Sequence, residues 1–514
     1  MNKIYTALFL SVIILVAFFI RIYDLGNNPP GFFADEASIG HNAYALLNYG
    51  KDEHGKAFPL FFEAFGEYKN PFQIYLTVPF IFLFGPSVFA VRVTSVFLSL
   101  LTIISIYFLT KELCKKIESP KITGLLAAAL LSIAPWHIHF SRVSLEGFMP
   151  FLLAVTLGTY FFLRFKENDK FLYLATILFS LGLYTYFPAR IFIPFFFLGL
   201  ILIYLKDLAK KRKLLLANFF LGIILTLPIL FFLIFGNGLA RWNQVSIFNN
   251  PSSENSVYTH IAINYFSHFS PDFLFTKGDS GMEGQFVTRH SVKGFGQLFI
   301  IELPFIFLGG YWLFRKKQKK PLAVLLIWLL LYPTGSMFTS DASAQATRSI
   351  IGIIPFQVLT AIGILYTFVA IKLHHKILSL IFSICIFIFF GISTVSYLKS
   401  YFWDYKSYAA DFWGWQYGAS EIIYYFNSSQ NNYDELVMTP SFNAPSIFLK
   451  FFAPISCEKC IVGLPETDLD KSKKQLFAVP GDYPQKHPEY NFKIIRIVNY
   501  PNNEVAFLIG EIVE

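Results

Sequence analysis

The sequence predicts an α-helical polytopic membrane protein with about eleven transmembrane helices, followed by a soluble α/β domain. The first observation is composition: 55% of the 514 residues are hydrophobic, 15% are charged and the mean hydropathy is +0.52, outside the range of a soluble globular domain. The second is the aromatic content of 62 Phe and 28 Tyr, which suits lipid-facing and interfacial surfaces. The third is the net charge of +9. Its lysines fall in short loops between apolar runs, which fits membrane topology and argues against nucleic-acid binding.

Eleven apolar runs are long enough to cross a hydrocarbon core of about 30 Å. They lie at residues 4–22, 88–110, 122–137, 147–163, 171–187, 190–205, 214–235, 297–314, 322–338, 350–371 and 377–397. The first run is followed by no cleavage site of small residues, so we expect a retained span rather than a signal peptide. The run 71–84 is interrupted by Pro79 and is predicted as a re-entrant or surface-lying helix.

Basic loops set the predicted orientation. With eleven spans, five lysine-rich loops share one side, which the positive-inside rule makes cytoplasmic. These loops include residues 111–121, 164–170, 206–213, 315–320 and 372–376. The N-terminus is then cytoplasmic, and the loops at about 24–87 and 236–296 lie outside the plasma (cytoplasmic) membrane. We therefore predict a transmembrane domain over residues 1–397 and an extracytoplasmic α/β domain over residues 398–514.

The C-terminal domain is predicted from four strand patterns and one helical pattern. The strands are expected at residues 434–439, 475–479, 492–498 and 505–509, and the helix at 417–426. Cys457 and Cys460 lie in this domain. Outside the membrane they either form a disulfide or bind a metal with unidentified partners.

Two adjacent carboxylates, Asp35 and Glu36, directly follow the first span. Carboxylates are costly near hydrocarbon and usually mark a working site there, either as a general base or as ligands of a divalent cation. A second interpretation is that they begin a helix over residues 37–47, because acidic residues favour a helix N-terminus. The same outer loop carries Lys69, which is placed to meet a lipid headgroup.

Arginine, rather than lysine, predominates among basic residues predicted near the outer face. These arginines are Arg92, Arg142, Arg190 and Arg348, with Arg241 and Arg289 in the second long outer loop. A guanidinium binds phosphate through two parallel hydrogen bonds, whereas topology requires only positive charge. The pattern indicates a phosphate group held at the outer leaflet. The alternative is interfacial snorkelling or pairing with nearby carboxylates.

Three groups of residues carry a family resemblance. They are residues 30–37 (PGFFADEA) with 66–71 (GEYKNP), 84–87 (FGPS) and Arg92; residues 141–146 (SRVSLE); and residues 346–355 (ATRSIIGIIP). Together they resemble the GT-C glycosyltransferases, in the branch of protein O-mannosyltransferases and lipid A aminoarabinose transferases (glycosyltransferase families 39 and 83). The resemblance covers about residues 1–400. Glu146 stands where the family motif has Asp, and the tail has no such match.

The resemblance implies transfer of a sugar from a polyprenyl phosphate to an acceptor hydroxyl outside the membrane, with inversion. It implies that Asp35 is the base and that Glu36 is its orienting partner or, with Asp35, a ligand of a divalent cation whose participation stays open. The donor phosphate would be held by Lys69 and Arg348, with Arg92 and Arg142 as further candidates. Glu67, Tyr68 and Glu146 are expected to support the site. The acceptor is a lipid, a glycan or a protein.

A transporter or a flippase of lipid-linked sugars is the competing hypothesis. Such a protein also has many spans, but it places ionisable residues at mid-bilayer and often shows repeat symmetry. In this sequence the acidic residues cluster at one face, which favours the transferase. The polar loop at 236–296 is predicted to be a lid, partly disordered without substrate and closed over the site with it.

Overall fold

The computed structural model describes residues 2–249, 256–279, 281, 287–340, 343–453 and 457–513. Within these residues the helices of the membrane part are α1 (Lys3–Ile22), α2 (Ala34–Tyr49), α3 (Pro71–Phe84), α4 (Val88–Leu113), α5 (Pro120–Ile133), α6 (Pro135–Ser141), α7 (Phe148–Leu163), α8 (Lys170–Gly182), α9 (Ala189–Leu208), α10 (Arg212–Phe235), α11 (Ala240–Val245), α12 (Val257–Ser267), α13 (Glu302–Arg315), α14 (Lys319–Leu331), α15 (Ala346–Ser349), α16 (Ile353–His374), α17 (Lys376–Lys399) and α18 (Tyr405–Tyr408). A two-stranded hairpin consists of β1 (Phe62–Ala64) and β2 (Glu67–Lys69).

The C-terminal part adds four short helices and five strands. They are α19 (Ala419–Ser429), α20 (Ser446–Phe452), α21 (Pro465–Asp468), α22 (Tyr483–Lys486), β3 (Glu435–Met438), β4 (Cys460–Val462), β5 (Gln475–Pro480), β6 (Phe492–Asn499) and β7 (Val505–Ile512). Short 3₁₀ or π turns lie at Ala209–Lys211, Asp272–Thr276, Thr288–His290, Tyr332–Gly335, Ile350–Gly352, Ser400–Asp404 and Gln430–Asn432.

Every predicted span contains a helix. In the described part of the chain, five helical stretches are long and apolar enough to cross a membrane, or six when the pair α5–α6, bent by 61°, forms one span. Several other apolar helices, such as α7 and α8, are shorter. The fold is therefore that of a multi-pass helical membrane protein, as predicted, while the count of eleven spans stays a prediction.

Close helix packing in the membrane part depends on small residues. Gly309 of α13 and Gly363 of α16 face the partner helix so closely that an added Cβ would lie 2.1 Å from a backbone carbonyl oxygen. Without a hydrophobic driving force between helices in lipid, such close backbone contact supplies much of the packing. Any larger residue at either position would force these helices apart.

The segment between α1 and α4, which is the predicted first outer loop, contains α2, the β1–β2 hairpin and α3. α2 begins at Ala34, so Asp35 and Glu36 occupy its first turn, where the helix dipole favours acidic side chains. The turn of the hairpin, Phe65-Gly66, has φ of 56° and 75°. Two consecutive positive φ values are typical of the type I′ turn of a two-residue hairpin. This turn brings Lys69, at the end of β2, back toward the start of α2.

The tail is an α/β unit with a mixed five-stranded sheet in the order β4-β3-β5-β7-β6. β3 pairs in parallel with β4 and β5, and β7 pairs antiparallel with β5 and β6. The four predicted strands and the predicted helix are confirmed, while β4 is an additional strand. Cys457 and Cys460 form a disulfide, which decides between the two interpretations of this pair.

The core of the tail continues into the first outer loop. Phe32 and Ala37 belong to the same buried cluster as Met438 and Phe507 of the sheet. At Gly40 of α2, an added Cβ would lie 2.5 Å from the Phe451 ring of α20. The helix that carries Asp35 is therefore packed directly against the C-terminal unit.

Candidate active site

Asp35, in the first turn of α2, and Lys69, at the end of β2, form an ion pair. The Lys69 Nζ atom lies 2.5 Å from Asp35 Oδ1, and the two side chains are 4% and 25% exposed, respectively. Burial disfavours the charged ammonium, but the carboxylates of Asp35, Glu146 and Glu67 outweigh it and raise the pKa of Lys69. The charged form of Lys69 is therefore favoured, and Asp35 is the more exposed partner of the pair.

Two further carboxylates extend this cluster. Glu67 lies 3.4 Å from the Arg241 guanidinium. Glu146 lies in the loop before α7, and burial raises its pKa to about 7, with Lys69 opposing the shift and Asp35 and Glu67 adding to it. The predicted residues Asp35, Lys69, Glu67 and Glu146 are therefore brought into one electrostatic neighbourhood, and one of the acids is poised to titrate near neutral pH.

A cavity of about 200 Å³ opens beside Glu146 and contains three arginines. Its charged lining is Glu146, Arg190, Arg241 and Arg348, and its aromatic lining is Tyr186, Phe187, Trp242 and Phe338. We call it the arginine cavity. Arg348 was a predicted phosphate ligand. Arg190 and Arg241 were noted as outer arginines but not assigned to the site, although the same arginine pattern marks all three.

Arg190 has unused hydrogen-bonding capacity at this cavity. Its Nη2 donates to Asn70 Oδ1 at 2.7 Å, and its guanidinium lies 4.5 Å from the centre of the Phe187 ring. The Nε and Nη1 atoms are buried and have no hydrogen-bond partner among the described residues. Buried donors of this kind are normally satisfied, and an anion with several oxygen atoms would satisfy both.

An apolar groove of about 560 Å³ runs along α10 next to the arginine cavity. It is lined by Leu60, Phe61, Leu227, Pro228, Phe231, Phe232, Phe235 and Gly236. Phe61 stacks on Phe232 at 3.9 Å and lies 5.8 Å from the Arg190 guanidinium, and the predicted supporting residue Tyr68 packs edge-on against Phe232. Phe61 therefore connects the groove with the cavity. The side chains of Phe231 and Phe235 are exposed.

Glu36 faces away from this cluster. Its side chain is fully buried, and its two carboxylate oxygens accept hydrogen bonds from Arg92 Nε and Nη2 at 3.0 and 2.9 Å. The backbone N–H groups of Ser144 and Phe33 donate to the same oxygens. The remaining Arg92 donors go to the carbonyl oxygens of residues 25, 29 and 31. This arrangement favours a structural role for Glu36 and Arg92 over the predicted orienting and phosphate-binding roles.

Arg142 is also turned inward. It is fully buried, and it donates to the carbonyl oxygens of Ile20, Arg21 and Asn28 and to the Tyr401 hydroxyl. These bonds satisfy backbone acceptors at the end of α1 and in the following loop, and every side-chain nitrogen is used. Four of its five N–H donors are used in this way, so Arg142 has the geometry of a clamp on this loop rather than that of a phosphate ligand.

A metal site shared by Asp35 and Glu36 does not fit these contacts. Both oxygens of Glu36 already accept hydrogen bonds, and Asp35 Oδ1 is held by Lys69. Within the ranges that the structure describes, no three His, Cys, Asp or Glu side chains converge.

The second long outer loop positions the helix that carries Arg348. Asp279 Oδ2 accepts a hydrogen bond from the Ala346 N–H at the start of α15, at 3.0 Å, and lies 3.4 Å from His290 Nδ1. On the other side, Trp136 Nε1 donates to the Ala346 carbonyl at 2.9 Å. These contacts join segments far apart in the chain, so no local sequence pattern predicts them. The disorder predicted for this loop falls in part on residues 250–255, 280 and 282–286, which lie outside the described residues.

Arg289 connects the same loop to the first outer loop and to the tail. Its guanidinium lies 4.1 Å from the centre of the Phe33 ring and donates to the Trp413 carbonyl oxygen at 2.8 Å. Burial lowers the pKa of Arg289, and the carboxylates of Asp35 and Asp411 act against that shift. Arg289 therefore lies within electrostatic range of Asp35 and of the C-terminal unit.

Comparison with known proteins identifies the fold. Residues 69–246 match the family described as dolichyl-phosphate-mannose-protein mannosyltransferase. No curated protein sequence gives a significant match. The structure is similar to that of ArnT from Cupriavidus metallidurans bound to undecaprenyl phosphate, with a TM-score of 0.55, 11% identity, and coverage of 99% of this chain and 98% of that one.

The archaeal oligosaccharyltransferase AglB from Archaeoglobus fulgidus is similar as well. Its complex with an inhibitory peptide and a dolichol-phosphate aligns with a TM-score of 0.57 and 14% identity, over 90% of this chain and 64% of that one. A complex of the A. fulgidus oligosaccharyltransferase with Zn and sulfate aligns with a TM-score of 0.53 and 14% identity, over 87% of this chain and 61% of that one. The chain thus has the GT-C fold, and the predicted resemblance to the mannosyltransferase and aminoarabinose transferase branch is confirmed.

Proposed function

We propose that this protein transfers a sugar from a polyprenyl phosphate to an acceptor hydroxyl, on the extracytoplasmic side of the plasma membrane, with inversion at the anomeric carbon. The observation that carries the proposal is that the Asp35–Lys69 pair interacts electrostatically with Glu146, which lines a cavity together with three arginines. The similar structures hold undecaprenyl phosphate in ArnT and a dolichol-phosphate in AglB, which supports a lipid phosphate as the ligand.

The lipid donor would occupy the arginine cavity and the adjoining apolar groove. Its phosphate would be held by Lys69, Arg348, Arg190 and Arg241, since guanidinium groups pair with phosphate through two hydrogen bonds at once. Its hydrocarbon chain would lie along α10, where Phe61 and Phe232 connect the groove with the cavity. Nε and Nη1 of Arg190, which have no hydrogen-bond partner among the described residues, would donate to the phosphate oxygens.

Asp35 is the proposed base. The acceptor oxygen attacks the anomeric carbon and loses its proton to an Asp35 oxygen, while the bond from that carbon to the phosphate oxygen breaks. The electron pair of that bond stays on the leaving oxygen, giving the polyprenyl phosphate, and the cations around it stabilise the growing negative charge. In the free protein Lys69 occupies Asp35 Oδ1. A phosphate that draws Lys69 toward itself would free this oxygen for the acceptor proton.

The test measures transfer of radiolabelled sugar by purified full-length protein from a panel of synthetic polyprenyl-phosphate sugars. Asp35→Asn is expected to lower the transfer rate by about 100-fold or more, with donor affinity retained. The matched control is Glu63→Gln. Glu63 pairs with Lys56 at 2.9 Å on the same hairpin but is exposed, so this variant is expected to transfer sugar normally.

Two results would contradict the proposal. Transfer at the normal rate by Asp35→Asn would remove this carboxylate from the chemistry. Binding and export of lipid-linked sugar without transfer would favour the transporter or flippase hypothesis. The positions of the charged groups favour the transferase, because Asp35 lies in the first turn of α2, Arg190 in the first turn of α9 and Arg348 in the short helix α15. A transporter places such groups nearer the middle of its spans.

A further inference from the structure

A second polar cavity, of about 320 Å³, lies between the C-terminal sheet and the segment that leads into it. Its base is apolar and includes Phe442 and Phe507, and its walls include Tyr417 and Tyr500. The two tyrosine rings are 6.4 Å apart and inclined by 48°. None of these residues belongs to the cluster around Asp35, so the cavity is a separate feature of the molecule. We call it the tyrosine cavity.

One lining residue has an unmet hydrogen-bonding requirement. Gln416 is 3% exposed, lines the cavity, and its Oε1 atom has no hydrogen-bond partner among the described residues. Its Nε2 atom reaches only the Phe412 carbonyl oxygen, at 3.5 Å. A buried amide oxygen without a donor is uncommon in folded proteins, and a hydroxyl group in the cavity would supply that donor.

The rim is acidic. Asp411 and Asp482 both line the cavity, and Lys486 is the one cation of its lining, paired with Asp482 at 2.6 Å. Carboxylates accept hydrogen bonds and donate none, so this rim suits a ligand with many hydroxyl or ammonium donors. It disfavours phosphate and other anions, in contrast to the arginine cavity.

Aromatic walls, a buried amide and carboxylates together match the chemistry of a saccharide. A sugar ring presents an apolar C–H face that packs on an aromatic ring, and hydroxyl groups around its edge that donate to planar polar groups. Ligand cavities typically combine a largely apolar lining with a few placed polar groups in this way. The lining therefore selects for a neutral or amino-bearing sugar.

The backbone segment that lines the tyrosine cavity is in direct contact with the first outer loop. Gly31 packs so closely on the cavity segment that an added Cβ would lie 2.5 Å from the Trp415 carbonyl oxygen and 2.8 Å from Tyr417 Cα. Arg289, which is in electrostatic range of both Asp35 and Asp411, also bonds the Trp413 carbonyl. A ligand in this cavity is thus held against the same loop that carries the proposed base.

We propose that the tyrosine cavity binds a neutral or amino-bearing saccharide unit of the acceptor, which makes the acceptor a glycan. The assignment of this saccharide to the acceptor rests on the proposed transferase function. The binding itself does not, because it depends only on Gln416, the two tyrosines and the carboxylate rim.

The test measures binding without any donor. Full-length protein in lipid nanodiscs is titrated with soluble gluco-, manno- and galacto-configured trisaccharides and with a glucosamine oligomer, and contact is read by saturation-transfer NMR of the sugar protons. At least one of these sugars is expected to bind, and Gln416→Leu is expected to weaken that binding by about tenfold. Asp482→Asn provides a second variant at the rim, should Gln416→Leu fail to fold.

The matched control is Asp470→Asn. Asp470 is an exposed aspartate of the same domain, with Lys473 as its cationic neighbour at 3.7 Å, but it lies outside the cavity, so saccharide binding is expected to be unchanged. The proposal is overturned if no sugar binds, if binding is equal in the wild type and both cavity variants, or if serine- and threonine-containing peptides bind there instead. Failure of the transferase proposal is read separately, from transfer by Asp35→Asn.

Discussion

Asp35 and Glu36 are neighbours in the chain, yet their carboxylates lie in opposite environments. Asp35 is 25% exposed, with Lys69 as its ion-pair partner, whereas Glu36 is fully buried against Arg92 and two backbone N–H groups. Successive residues of an α-helix point about 100° apart, so the Asp35 side chain turns toward Lys69 and the Glu36 side chain turns into the protein. Two adjacent acids in a sequence can therefore serve separate purposes, one chemical and one structural.

The largest expected effect comes from Glu36→Gln. The amide keeps the size of the side chain but leaves the buried Arg92 charge without its counter-ion, and breaking such a pair costs about 3–5 kcal/mol. The melting temperature of the full-length protein in detergent should fall accordingly. Asp35→Asn, the matched variant one residue earlier, is expected to lower stability by less, because Asp35 is partly exposed and the carboxylates of Glu146 and Glu67 remain near the Lys69 ammonium. Equal decreases in melting temperature in the two variants would show that Asp35 and Glu36 contribute equally to stability, against this prediction.

Lys69→Gln is expected to act on the reaction rather than on the fold. It removes the ammonium next to Asp35, so the developing charge on the phosphate loses a nearby cation, and transfer should fall by about 100-fold. The readout is sugar transfer together with donor affinity. Lys56→Gln serves as the control and should transfer normally, because Lys56 and its partner Glu63 on β1 are both exposed. Normal transfer by Lys69→Gln would exclude this lysine from the phosphate site.

Glu146 is expected to make the affinity for the lipid donor depend on pH. Burial raises its pKa from 4.5 to about 7, so it gains a proton as pH falls from about 8 to about 6. The arginine cavity then loses a negative charge, and affinity for a polyprenyl-phosphate sugar, a diester whose charge is constant in this range, should rise by about threefold to tenfold. Glu146→Gln should bind with little pH dependence. If the donor affinity of Glu146→Gln changed with pH as steeply as that of the wild type, the titrating group would be a residue other than Glu146.

The stability linkage of Glu146 has a definite sign. Because its folded-state pKa is raised above the unfolded value of 4.5, the folded state retains a proton that the unfolded state loses. Its contribution to stability is therefore full below about pH 4.5 and is lost as pH rises toward about 7. Thermal unfolding of the wild type and of Glu146→Gln across this range gives the difference directly.

The smallest effect is expected from Glu63→Gln. Its ion pair with Lys56 is exposed on both sides, and such pairs contribute little because water screens them. Neither transfer nor melting temperature should change measurably. A large loss of activity would mean that the second carboxylate–lysine pair of the hairpin also belongs to the reaction site.

The sequence predicted the helical membrane part and four of the charged residues of the candidate site. Long apolar runs specify helices locally, and Asp35, Lys69, Glu67 and Arg348 stand in short motifs close to the ends of such runs. The tail strands were predictable for a similar reason, because alternating β-branched and aromatic residues mark them. β4, with only three residues beside a disulfide, carries too short a pattern to be recognised.

The inward orientation of Arg92 and Arg142 was not predictable from the sequence. Arg92 and Arg142 have the same residue type and the same predicted position near the outer face as Arg190 and Arg348, but tertiary packing turns the first two inward onto Glu36 and backbone carbonyls. Asp279 gave no signal because its partner Ala346 lies 67 residues away in the chain. A local pattern identifies a charge near a surface and leaves open which way it points.

The contact between Gly40 and Phe451 limits how such a protein can be recombined. α2 supplies Asp35 at one end, while its middle turn presses against a ring of the C-terminal domain with no room for a methyl group. A chimera that exchanges only the tail would therefore place a foreign surface against a helix shaped for another one. The exchangeable unit is the tail together with α2, so the proposed saccharide site and the proposed base would be exchanged as a pair.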